Sequence, residues 1–144
     1  MKGVAMGNEI VHADLSKELS TESNTTYCSI QGVDRKTLAK VYNAANNPEH
    51  KVGDYINKVI NVKDVLIELI ELPNDVTGEM EQAPRVVLID EKGEAYQAVS
   101  QGMFNAVKNA IQIFGAPTWD DPLPMLIKQV TVKNGSMLTV EIKL

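Results

Sequence analysis

The spacing of apolar residues in the first half of the chain predicts one helix and then one long strand. Four apolar residues share a helical face between residues 35 and 46: Leu38, Val41, Tyr42 and Ala45. Asp34 precedes them and is a suitable N-cap, because its carboxylate can accept from free backbone N–H groups. Residues 55–72 are rich in valine and isoleucine, which favours a strand. The apolar alternation changes phase along this run, so we predict a bulge or a sharp bend.

The second half of the chain predicts shorter strands around another helix. Residues 85–90 and 95–99 form a predicted hairpin, and Ser100 is the predicted cap of a helix that runs to about Phe114. The apolar stripe of this helix comprises Met103, Phe104, Val107, Ile111 and Phe114. Residues 125–133 and 136–144 form a last predicted hairpin, joined at Asn134-Gly135.

This order of elements predicts a mainly β protein with two helices, of the α+β class. Five strands with a helix between the third and the fourth follow the order of an OB-type barrel, and residues 35–46 add an N-terminal helix. Parallel α/β folds need helices between most of their strands, and this chain does not provide them. Residues 1–24 are polar and are predicted to form a flexible tail, which leaves residues 25–144 as one domain.

Composition narrows the class of protein. The net charge is -5, which argues against a nucleic-acid partner until its distribution is considered. Residues 1–33 hold four acids and two bases, residues 73–100 hold six and two, and the remainder holds nine and ten. A local basic surface is therefore compatible with the sequence. A single cysteine, no apolar run of membrane-spanning length and no signal-peptide pattern predict a cytoplasmic protein without a membrane partner.

The chain shows no recognisable catalytic or metal-binding pattern. His12 and His50 have no Cys or carboxylate at metal-ligand spacing, and the glycines do not form a phosphate-binding loop. Asp120-Asp121 fits a solvated turn better than a cation site. We therefore expect a protein without enzymatic activity, metal, cofactor or small-molecule substrate. A nuclease is disfavoured, because no carboxylate cluster with metal-binding geometry can be identified.

Aromatic and basic residues on a β framework are the remaining candidate chemistry. Binding of single strands without sequence preference needs cations along the phosphates and aromatic faces for base stacking. Eight residues are candidates for such an interface: Tyr55, Lys58, Lys63, Arg85, Tyr96, Trp119, Lys128 and Lys133. Tyr96 is equally compatible with the core, and Trp119 with a cap on the bottom of the barrel. An Asn-Gly turn would place Lys133 opposite Ser136 and Lys128 opposite Glu141, which would neutralise Lys128.

Three segments resemble the single-stranded DNA-binding proteins of tailed phages, especially those of small Bacillus podophages. They are Thr37-Leu38 through Val41-Tyr42-Asn43-Ala44, the run Gly93-Glu94-Ala95-Tyr96-Gln97-Ala98-Val99-Ser100, and a hairpin with alternating Leu138, Val140, Ile142 and Leu144. The likeness covers roughly residues 34–144 and implies an OB-type barrel.

The resemblance also implies a function, which is single-stranded DNA binding without sequence preference during phage DNA replication and recombination. The implied partners are single-stranded DNA and further copies of the protein along the strand. The competing hypothesis, which the acidic balance favours, is a non-catalytic phage module or regulator that binds a host protein through the same barrel.

Overall fold

The computed structural model describes residues 26–144 as two helices and seven strands. The helices are α1 (Arg35–Asn46) and α2 (Gln101–Phe114). The strands are β1 (Thr26–Cys28), β2 (His50–Lys51), β3 (Val59–Pro73), β4 (Met80–Asp90), β5 (Ala95–Val99), β6 (Leu123–Val132) and β7 (Gly135–Ile142). A 3₁₀ turn, Val52–Tyr55, joins β2 to β3. The predicted tail, residues 1–24, lies outside the described residues.

One sheet curls into a half-barrel with the strand order β2-β5-β4-β3-β6-β7, and β1 pairs separately with β3. The predicted class, mainly β with two helices, is confirmed. The predicted strand count is corrected from five to seven. Helix α2 follows the fifth strand of the chain, because β1 and β2 precede the long strands. These two strands are three and two residues long, too short to produce a visible apolar alternation.

Strand β3 contains the predicted bulge and serves both halves of the sheet. Residues 59–62 pair with β6, whereas the ladder with β4 runs from Val62 to Pro73. The register with β4 shifts between Val62 and Asp64, which leaves Lys63 as the extra residue. The shift reverses the side-chain alternation, so that Val62 before it and Val65 after it lie in the same core.

A buried carboxylate holds the bulge. Asp64 is 8% exposed and its Oδ1 accepts hydrogen bonds from the Ser29 hydroxyl, at 2.8 Å, and from the Thr118 hydroxyl. The Ser29 N–H also donates to the Val65 carbonyl at 3.0 Å, and the Val65 N–H donates to the Ser29 hydroxyl at 2.9 Å. The Trp119 N–H donates to the Lys63 carbonyl at 2.9 Å. Segments from both ends of the described chain thus satisfy the polar groups that the irregular backbone exposes.

Each face of the sheet has its own apolar core. The inner core lies under α2 and contains Met103 and Val107 from the helix, with Val86 and Leu88 from β4. On the outer face, α1 covers a smaller core of Ile30, Ala44, Leu66, Val87, Ile89 and Ala95. The predicted caps form in both helices, since Asp34 accepts from the Thr37 N–H and Ser100 from the Met103 N–H. Within residues 26–144, neither helix is long and apolar enough to cross a membrane.

Two predicted core aromatics face solvent. Tyr42 is 63% exposed and Phe114 43% exposed. In α1 the most buried residue is Ala44, so the helix is rotated relative to the predicted stripe and Tyr42 points away from the sheet. In α2 the buried residues are Gly102, Met103, Val107 and Ala110, and Phe114 is the last residue of the helix.

The last hairpin forms one residue earlier on each strand than predicted. Val132 pairs with Gly135, so that Lys133 and Asn134 make the turn and Lys128 lies opposite Thr139. Gly135 takes a φ of 137°, a conformation that favours glycine, at the first position of β7. Lys128 still forms the predicted ion pair with Glu141, at 3.2 Å, but diagonally across the ladder.

We predict that Gly102→Ala destabilises the protein, although alanine normally favours a helix interior by about 1 kcal/mol over glycine. A β-carbon at this position would overlap the carbonyl oxygen of Leu138 and the side chain of Met137. Overpacking of this kind costs about 1–3 kcal/mol, so we expect a net loss of unfolding free energy. Gly53→Ala is the matched control, because a β-carbon there meets nothing within 4 Å. Urea denaturation of both variants measures the effect, and equal stabilities would contradict the close packing of α2 on β7.

Candidate nucleic-acid interface

One end of the half-barrel carries a cluster of three rings, His50, Tyr55 and Tyr96, which we call the ring cluster. His50 enters it because β2 pairs in parallel with the free edge of β5, opposite Tyr96. The imidazole stacks on the Tyr96 ring with centroids 4.6 Å apart, and Tyr55 meets both rings edge-on, at 5.2 and 5.0 Å. The chain between β2 and β3 is thus packed against the sheet by aromatic contacts.

Hydrogen bonds fix the orientation of the three rings. The Tyr55 hydroxyl lies 3.1 Å from His50 Nδ1, and His50 Nε2 lies 2.6 Å from Glu94 Oε1. The Tyr96 hydroxyl donates to Asp90 Oδ2 at 2.8 Å. Burial, and next the hydrogen bond to the Asp90 carboxylate, raise the pKa of Tyr96 well above the usual phenol value. Hydrogen bonds therefore hold all three rings in place. Tyr55 and His50 are half-buried, whereas Tyr96 is buried.

One lysine lies against Tyr55, and the turn that carries both residues is bonded to β6. The Lys58 ammonium is 5.6 Å from the centroid of the Tyr55 ring, within cation–π range. The Asn57 N–H donates to the Ile127 carbonyl at 2.7 Å, and the Ile127 N–H donates to the Lys58 carbonyl at 3.0 Å. These bonds place the turn that carries Tyr55 and Lys58 next to Lys128 on β6. Tyr55 and Lys58 are thus in contact, and Lys58 lies beside Ile127, the neighbour of Lys128 in β6.

The other two candidate lysines lie further away. Lys133 is exposed in the β6–β7 turn, five residues beyond Lys128, which corresponds to about 16 Å along an extended strand. Lys63 is the extra residue of the β3 bulge and is half-buried. It stands five residues from Lys58 in the opposite direction. The four lysines are therefore spread along β3, β6 and the turns at their ends and do not form a compact patch.

The remaining three candidates are held within the fold. Arg85 donates to Glu68 Oε1 at 2.9 Å, to the Ala45 carbonyl at 2.7 Å and to Gln97 Oε1 at 3.1 Å. Tyr96 is 7% exposed and Trp119 is 9% exposed, and both belong to the inner core. The Trp119 indole N–H donates to the Gly115 carbonyl at 3.1 Å. Base stacking on either ring would require the surrounding chain to move.

Helix α1 covers the outer face of β4 and β5. It packs through Ala44 onto Val87 and Ile89, and the Arg85 guanidinium ties its last turn to β4. Just beyond the helix, the Glu49 carboxylate accepts from the Ala95 N–H at 2.8 Å, which holds the following loop against β5. This face of the sheet is therefore closed to ligands in the described structure.

Sequence reasoning missed His50 and Glu94 as members of this site. His50 stands in a two-residue strand that pairs with a segment 46 residues later, and no local pattern reveals such a pair. The only available signal was the proximity of His50 and Tyr55 in sequence. Within residues 26–144, no three His, Cys, Asp or Glu side chains gather closely enough to hold a metal ion.

Comparison with known families supplies one match. The model of the family described as phage single-stranded DNA-binding protein, of the Phi29 type, matches residues 20–143. Searches of curated proteins and of solved structures give no match. The family match extends over all the strands and both helices described above.

We predict that Tyr96 makes the protein sensitive to alkaline pH. The pKa of Tyr96 is raised in the folded state, so the phenol in the unfolded chain ionises first, near pH 10, while the folded one stays protonated. The stabilisation is complete below about pH 10 and falls by up to about 1.4 kcal/mol per pH unit above it. Tyr96→Phe keeps the stacked ring and removes the ionisable group. We expect the wild type to be more stable at pH 8, by about 1 kcal/mol or more, and the difference to shrink between pH 10 and 11.5. Urea denaturation curves that stay equally separated across this range would contradict the assignment.

Proposed function

Because the chain belongs to the family of Phi29-type phage single-stranded DNA-binding proteins, we propose that it coats and protects single-stranded DNA during phage DNA replication and recombination. The family match over residues 20–143 is the observation that carries this proposal. The role is one of binding without catalysis, in the host cytoplasm, and it requires no cofactor or small-molecule substrate. Binding is through phosphates and stacked bases, so sequence preference is weak.

We propose that the sheet is an open OB-type barrel. The long strands follow the order β5-β4-β3-β6-β7, in which the first long strand, β3, pairs with the second, β4, and the fourth, β6. Helix α2 lies between the third and the fourth long strands, as in the OB order. OB barrels bind nucleic acid on the face of their second and third strands and with the loops at the barrel mouth.

We propose that DNA follows the surface of Tyr55, Lys58 and Lys128 and continues to Lys133, with Lys63 at the other end. Two features support this location. The outer face of β4 and β5, the usual OB binding face, is covered by α1. The loop between β3 and β4 is acidic, with Asp75 and Glu79, and would repel phosphates.

Tyr55 supplies the stacking face in this proposal, and the lysines supply the charge. The Tyr55 ring is held by its edge-on contact with Tyr96 and by the hydrogen bond to His50, so it loses little conformational entropy when a base stacks on it. Lys128 is paired with Glu141 in an exposed ion pair, and such pairs contribute little. A DNA phosphate can therefore replace Glu141 as the partner of Lys128. Arg85, Tyr96 and Trp119 act in this scheme as supports for the barrel.

We predict a shallow salt dependence. Four phosphate contacts correspond to a slope of about -3 for log K against log salt concentration, at about -0.7 per contact for single strands. Lys133→Ala should reduce the steepness by about 0.7. Lys92→Ala is the matched control, because Lys92 is an exposed turn residue on the β4–β5 hairpin. Fluorescence anisotropy with a labelled oligonucleotide at graded salt measures both. A wild-type slope near zero, or equal effects of the two substitutions, would contradict the proposed surface.

We predict that Tyr55→Leu weakens binding of a short oligonucleotide by tenfold or more, since base–aromatic stacking contributes roughly 1–3 kcal/mol per base. Leucine keeps most of the apolar contact with Tyr96. Tyr55→Phe keeps the ring and should bind nearly as well as the wild type, although it loses the hydrogen bond to His50. Tyr42→Leu removes an exposed ring on α1 and should leave this affinity unchanged. The melting temperature of each variant separates lost stacking from lost folding, and wild-type affinity of Tyr55→Leu would remove Tyr55 from the interface.

A further inference from the structure

Strands β3 and β4 continue past the described parts of β1 and β5 as a two-stranded arm, residues 70–83. The described pairing of β1 with β3 reaches Glu68, the pairing of β5 with β4 reaches Arg85, and the Ser100 N–H donates to the Pro84 carbonyl at 3.1 Å. Within residues 26–144, no third strand pairs with the arm. Its four paired positions on each strand extend about 13 Å from the barrel. An isolated two-stranded ribbon is only marginally stable in water, so the arm gains stability from any surface that covers it.

The arm exposes apolar side chains among acids. Leu72 is 42% exposed, Met80 is 58% exposed, and Val76 at the tip is 92% exposed. Residues 70–83 contain four acids and no base: Glu71, Asp75, Glu79 and Glu81. This mixture of apolar and acidic groups is suited to a basic protein surface with apolar residues of its own, and not to a phosphate backbone.

The outward side of α1 has the complementary composition. Residues 35–46 contain three bases and no acid, and Arg35, Lys36 and Lys40 are all exposed. Leu38 and Tyr42 stand among them, 41% and 63% exposed. The one neighbouring acid, Asp34, is engaged as the N-cap.

The two surfaces face different ends of one molecule. The last turn of α1 lies at the base of the arm, where the Ala45 carbonyl accepts from Arg85. Lys40 reaches towards Gly93 at the β4–β5 turn, which is the end of the sheet away from the arm. Arg35 and Lys36 precede Lys40 by another helical turn in that direction. The tip of the arm therefore cannot meet the start of α1 in the same chain.

We propose that the arm of one molecule docks on α1 of the next copy along the DNA, with the apolar residues at the centre and the charges around them. This inference rests on the proposed function, because DNA brings the copies together. Two different patches on one chain make a head-to-tail contact, which propagates as an open row and does not close into a dimer. The contact is small and charged, so it is weak between free molecules. On a common strand it gains effective concentration and produces cooperative binding.

The test uses charge reversal on each surface of the full-length protein. Glu79→Lys with Glu81→Lys makes the arm basic, and Lys36→Glu with Lys40→Glu makes α1 acidic. All four side chains are exposed, and circular dichroism melting verifies that both variants fold. Titration of long poly(dT) measures cooperativity, and an oligonucleotide that holds one molecule measures intrinsic affinity.

We expect each double variant alone to lose cooperativity on poly(dT) by tenfold or more while keeping wild-type affinity for the short oligonucleotide. An equimolar mixture should regain cooperativity, because the basic arm fits the acidic α1 and the acidic arm fits the basic α1. Val76→Ser, which changes no charge, should weaken cooperativity without changing short-strand affinity.

Three results would overturn the inference. Unchanged cooperativity in both double variants would mean that these surfaces do not meet. A mixture that stays non-cooperative would mean that the arm docks elsewhere, for example on a host protein. Loss of short-oligonucleotide affinity in the α1 variant alone would assign α1 to DNA. Failure of the wild type to bind either DNA would instead contradict the proposed function, so the two failures are distinguishable.

Discussion

The fold depends on one requirement, which is that β3 must belong to two differently oriented halves of the sheet. Its first part pairs with β6 and its second part with β4. A regular strand of this length would turn Val65 and Ile67 to the wrong face, since side chains alternate strictly. The extra residue at Lys63 restores the apolar face, and the carboxylate of Asp64 satisfies the hydroxyl donors that meet at the irregularity. Both apolar cores contain residues of β3, so both depend on the change of side-chain alternation at the bulge.

Local chemistry explains which parts of the fold could be predicted from the sequence. Asp34 and Ser100 each cap a helix by accepting from an N–H group three residues later, so the interaction is local in sequence. Both helices begin at the residue after the cap. The phase change in β3 is visible because the run of apolar residues is long. The predicted register of the last hairpin is wrong, because an Asn-Gly pair favours a turn at these two residues, whereas the turn consists of Lys133 and Asn134 and Gly135 begins β7.

The candidate site was less predictable, because its geometry depends on residues that are distant in sequence. Tyr55 and Lys58 could be identified from their types, whereas the position of Lys58 beside Ile127 follows from backbone bonds between distant segments. The sequence left open whether Tyr96 lies in the core. Tyr96 belongs to the inner core and stacks on His50, which stands on a parallel strand that no local pattern reveals. The groups that accept hydrogen bonds from Arg85 belong to Glu68, Gln97 and Ala45, which lie on β3, β5 and α1.

The bulge has a consequence for the order in which the chain folds. Its partners are Ser29 and Thr118, which lie 35 residues before Asp64 and 54 residues after it. During synthesis on the ribosome, β3 and β4 emerge and can pair as a hairpin long before Thr118 and Trp119 exist. The hairpin must wait for these residues before its irregular backbone is fully bonded. Such contacts between distant parts of the chain slow folding, because the entropy of closing the long loop is lost before the contact forms. The half-barrel therefore becomes fully bonded only after Thr118 and Trp119 have been synthesised.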